Sequence, residues 1–70
     1  MGLFKDKPEA LDMVRKYVRA HMSRHPNPAP IIVNKIMLSL VRPLKFKYGD
    51  LSKEDMKHLR YAVEAFMDER

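Results

Sequence analysis

His21 and His25 stand four residues apart, the spacing at which two imidazoles on one helical turn can share a metal ion. Pro26 breaks the pair, because the residue before a proline is pushed out of helical geometry. The chain has no cysteine to complete a ligand set, and His58 is its other histidine. Nucleophiles are equally scarce. The serines are Ser23, Ser39 and Ser52, and threonine is absent. Two glycines, Gly2 and Gly49, cannot build a phosphate-cradling loop. Neither a catalytic residue nor a metal or other cofactor is expected, so the chain reads as a non-enzyme.

The run "YGDLSKED", residues 48–55, invites comparison with the second half of a calcium loop, through Gly49, Leu51, Ser52 and Asp55. The upstream ligand positions fall on Leu44, Phe46 and Tyr48, which bring no carboxylate. Calcium takes six or more oxygens, so the run is better read as a helix start.

The remaining chemistry is charge. The 70 residues carry a net +5, unevenly placed. No acid occurs from Met13 to Gly49, a segment that holds Arg15, Lys16, Arg19, Arg24, Lys35, Arg42, Lys45 and Lys47. Such asymmetry points to an acidic partner. Those side chains could also neutralise phosphates, with Phe46 and Tyr48 available to stack on unpaired bases.

Three helices must position these groups. Asp6, Pro8 and Glu9 signal the first, with a capping carboxylate, a proline in the first turn and a favourable negative charge. Ala10, Leu11, Val14, Tyr17, Val18, His21 and Met22 recur at helical spacing, opposite Asp12, Arg15, Lys16 and Arg19. "HPNPAP", residues 25–30, ends that helix and makes a stiff elbow. The second helix is apolar on most sides, through Ile31, Ile32, Val33, Ile36, Met37, Leu38, Leu40 and Val41, with a polar seam of Lys35, Ser39 and Arg42. Pro43 is expected to end it. The third starts at Ser52 and Asp55, which resemble a capping box, with Leu51 and Met56 as a hydrophobic staple. Met56, Leu59, Ala62, Val63, Phe66 and Met67 form its apolar stripe.

The expected architecture is a small all-α domain over residues 1–70, with helices near 8–23, 29–42 and 53–68. A tail at 1–6 precedes them, a proline-rich elbow at 24–28 joins the first two, and a short extended piece at 44–48 joins the last two. Alternation along that piece sets Leu44, Phe46 and Tyr48 on the core side and Lys45 and Lys47 on the other. The helix over 29–42 is expected to be central, with uncovered apolar surface around Ile32, Val33, Met37 and Val41. The proline elbow is too long and stiff for a helix-turn-helix. Leu3–Lys5 is a poor strand for a ribbon-helix-helix, though its pairing with Leu44–Tyr48 stays open.

Apolar runs such as Ile36–Leu38 are far shorter than the roughly 20 residues that span a bilayer, and a cytoplasmic protein is expected. A chain this short buries only about 60% of its unfolded surface, which leaves room for a homodimer. The function expected is that of a small adaptor or regulator holding an acidic protein partner through the basic face and the leftover apolar surface. Nucleic-acid binding by the 13–49 segment and a self-assembling structural subunit are the alternatives.

Overall fold

The computed structural model describes residues 2–24 and 32–68. Among them are four helices and no strand: α1 Leu3–Asp6, α2 Pro8–Arg24, α3 Ile32–Tyr48 and α4 Lys53–Asp68. The all-α expectation holds, and the bounds of α2 and α4 match those expected at 8–23 and 53–68. Pro8 opens α2 where a missing N–H costs nothing, and Glu9 complements the helix dipole in the first turn. Asp6, expected to cap this helix, instead ends α1. Ala10, Val14 and Val18 then form a fully buried row at four-residue spacing. Against that row lie Leu59 and Val63 of α4, Ile36, Met37, Leu40 and Leu44 of α3, and Phe4 of α1.

Three expectations need correction. First, within the expected tail at 1–6, residues 3–6 are not merely a tail. Residues 3–6 form a helical turn, Phe4 is buried, and α1 packs on both α2 and α4. Second, the most apolar helix is not the central one. The α2–α4 pairing is the most extensive, and α4 touches every other helix, whereas α3 is the least extensively packed of the three long helices. The polar seam explains this, because Lys35, Ser39 and Arg42 must face water and only the opposite side of α3 can be covered.

Third, residues 44–48 are helical, and Pro43 lies inside α3. A proline in a helix interior removes the N–H that would bond the carbonyl four residues back, here that of Ser39. Both Pro43 and Ser39 are on the solvent side of α3, so water can satisfy that carbonyl and the helix survives. The true stop is Gly49. Its φ is 91° and its N–H donates to the Lys45 carbonyl at 2.9 Å, an αL ending, with Lys45 and Lys47 at the negative end of the helix dipole. Nothing lies within 4 Å of a Cβ built on Gly49, so Gly49→Ala meets only backbone strain. We expect it to lower stability by about 1–2 kcal/mol in chemical denaturation. Unchanged stability would mean the left-handed ending contributes nothing.

Because both Leu3–Lys5 and Leu44–Tyr48 lie in helices, no strand ladder joins them. Within the expected elbow at 24–28, Arg24 closes α2, and residues 25–31 lie outside the described residues.

Candidate binding face

The change from strand to helix at 44–48 re-aims every side chain there. In a helix Leu44 and Tyr48, four apart, share a face, and Phe46 points elsewhere. Leu44 is fully buried and Tyr48 packs against the core, while Phe46 is 94% exposed. The expectation that Phe46 closes the core is therefore overturned. Leu38, on the outer side of the same helix, is 70% exposed. By contrast Met37 belongs to the core, and Ile32, Val33 and Val41 are half-buried against it. The large uncovered apolar side chains of α3 are thus Leu38 and Phe46. The signal for Phe46 was legible once the helix was allowed to continue, since it sits four residues after Arg42 of the polar seam.

All eight cations of the acid-free segment are exposed, but they do not form one face. Lys35 and Arg42 line a shallow groove of about 420 Å³ with Leu38 and Ser39. Arg42 also borders a second groove, of about 630 Å³, with Met13, Pro43, Phe46 and Lys47. This one continues into a cleft of about 690 Å³ between α2 and α3, where Lys16, Tyr17 and Leu40 join Met13, Pro43 and Lys47, and Glu9 and Asp12 line it toward the N-terminal end of α2. Arg15 turns the other way, its guanidinium 6.0 Å from the centre of the Phe66 ring on α4. Arg19 is one helical turn beyond Arg15, and Arg24 is at the end of α2. Lys45 pairs with Asp50 at 3.4 Å, an exposed contact of little energetic weight. The Lys47 ammonium lies 5.5 Å from the centre of the Tyr48 ring.

A second polar cluster forms where α1 meets the start of α4. The Ser52 hydroxyl accepts from the Asp55 N–H at 3.0 Å, and the Asp55 carboxylate accepts from the Ser52 N–H at 3.2 Å, the reciprocal capping box expected from the sequence. What the sequence did not reveal is the third bond, from the Leu3 N–H to Asp55 Oδ1 at 2.9 Å. Gly2 packs beside both Asp55 and His58, where a Cβ would sit 3.4 Å from the His58 imidazole. The Leu3 bond chiefly holds the Asp55 carboxyl below the usual carboxylate range. Burial opposes it, and the Ser52 bonds and the charge of His58 assist. Ser52, Asp55 and His58 therefore meet as a helix start, with the carboxylate on backbone amides.

Among the described residues, no group of three or more His, Cys, Asp or Glu side chains is placed to hold a metal ion. His21 lies half-buried in α2, and His25 falls outside the described residues. No described helix is long and apolar enough to cross a membrane. Comparison with known protein families, with curated proteins and with solved structures returned no match.

Proposed function

We propose that this chain is a non-enzymatic binding module, an adaptor or regulator that docks an acidic protein partner through the outer face of α3. The observation that carries this reading is the company Leu38 and Phe46 keep. Both are well exposed on a helix with no acidic residue, beside Lys35, Arg42 and Lys45. Uncovered apolar side chains grouped on one helix side mark interaction surfaces, and cations around them favour a negative partner by steering and by contact. Of the chain's six methionines Met13 lines the groove, where a flexible thioether suits an adaptable contact surface.

Affinity capture with and without nuclease tests the proposal. The expected result is nuclease-resistant recovery of an acidic protein, lost when Leu38→Asp and Phe46→Asp are combined, while the helical circular dichroism is unchanged. Recovery that vanishes with nuclease overturns it.

A second reading, nucleic-acid binding, is favoured by one observation: Phe46 stands exposed between Lys45 and Lys47. Stacking on single-stranded bases would then be flanked by phosphate contacts, and affinity should fall steeply with salt. A self-assembling subunit would show as a dimer or larger species in light scattering.

A further inference from the structure

We propose that the cleft between α2 and α3 receives the apolar face of an acidic amphipathic α-helix from a partner protein. The inference rests on the binding-module reading and adds to the outer face of α3 a neighbouring surface, with Phe46 at the edge between the two, and gives it one occupant and one register. The floor of the cleft is apolar, formed by Met13, Tyr17, Leu40 and Pro43, and Phe46 stands exposed at the rim of the adjoining groove. From Glu9 to Tyr17 the α2 wall covers about 12 Å, some two turns of a docked helix, enough for anchors at i, i+3 or i+4, and i+7.

Charge selects the occupant. Lys16, Arg42 and Lys47 border the cleft and Lys35 lies just beyond Arg42 on α3, so carboxylates flanking the partner's apolar stripe would meet cations. Glu9 and Asp12 fix the register, because the partner's acids must avoid that end. A second copy of this chain, itself +5, would gain little from a cleft where Lys16 and Lys47 balance Glu9 and Asp12 and Arg42 and Lys35 lie beyond. A phosphate backbone, charged at every step, would run into the same two carboxylates.

The test uses a labelled synthetic helix with leucines at i, i+4 and i+7 flanked by glutamates, and a scrambled peptide of identical composition, both read by fluorescence anisotropy against the full chain. The amphipathic peptide should bind at least tenfold more tightly than the scrambled one and should weaken with salt. Phe46→Asp and Arg42→Glu should each weaken it at least tenfold, with circular dichroism reporting an intact fold. Combined Glu9→Gln and Asp12→Asn should tighten it several-fold. Equal binding of the two peptides, or indifference to Phe46→Asp, overturns the cleft as the site while the broader acidic-partner reading stands. Absence of peptide binding also overturns this inference, and the nuclease-controlled capture decides the broader reading separately. Tighter, Phe46-dependent binding of a single-stranded oligonucleotide overturns both.

Discussion

Asp55→Ala is expected to lower the stability of this chain by about 2–3 kcal/mol, from the worth of hydrogen bonds to a buried charged group together with the loss of a helix cap. For a domain of this size that is a fall in Tm of roughly 10–20 °C. The substitution leaves two donors without their acceptor, the N–H groups of Leu3 and Ser52. It also removes the hydrogen bond that ties the start of α1, which carries the buried Phe4, to α4. Ser52→Ala provides the internal comparison. It removes the hydroxyl half of the capping box but leaves the bond to Leu3, so its cost should stay near 1 kcal/mol. Equal losses for the two variants would show that the Leu3 bond contributes nothing.

The pH dependence has a definite sign. A carboxyl held below its unfolded value contributes stability that is fully present above that value, near 3.8, and is lost as pH falls through the folded value. The stability gap between the natural chain and Asp55→Asn should thus be widest near neutrality and close as the solution is acidified through that range. A gap that stays constant from pH 7 to pH 2 would rule out an ionised Asp55 as the acceptor.

How far the sequence could be read depended on whether a signal was local. The capping box at Ser52 and Asp55 and the proline start at Pro8 are local, each decided within one helical turn, and those two helices stand where expected. The bond from Leu3 to Asp55 joins residues 52 apart in the chain, and no spacing rule could reveal it. The basic face illustrates a third limit. Arg15 and Lys16 are neighbours in sequence, yet about 100° separates them around a helix, and α4 claims one side while the α2–α3 cleft claims the other. Pro43 and Gly49 compete as the stop of α3, and which of them ends it decides where Phe46 lies. A proline stops a helix only where its lost hydrogen bond or its ring cannot be accommodated, and on the solvent side of α3 it can. With Gly49 as the stop, Phe46 falls on the same outer side of α3 as Arg42, four residues earlier, and is exposed there.

That choice between helix and strand at 44–48 gives the sharpest pair of expected effects. Leu44→Ala should cost about 2–5 kcal/mol, the range for emptying a fully buried leucine site, and on a 70-residue domain this approaches the whole of its stability. Phe46→Ala should change stability by less than about 0.5 kcal/mol, as is usual for exposed positions, because almost none of the ring is covered. Under strand-like alternation residues 44 and 46 would share the core side, and both truncations would be severe. Urea denaturation of the two variants separates the alternatives in one experiment, with the difference carried by the midpoint and the slope unchanged. If Phe46→Ala proved as destabilising as Leu44→Ala, the helix would not extend through this segment. Phe46 would then be a core residue, and the groove beside the α2–α3 cleft would lose its exposed aromatic ring. A stable Phe46→Ala variant instead leaves an exposed aromatic ring without a role in folding, flanked by Lys45 and Lys47 and beside Arg42. Its contribution to stability and its contribution to binding are then separable in the same protein, which the charge-reversal and peptide experiments require.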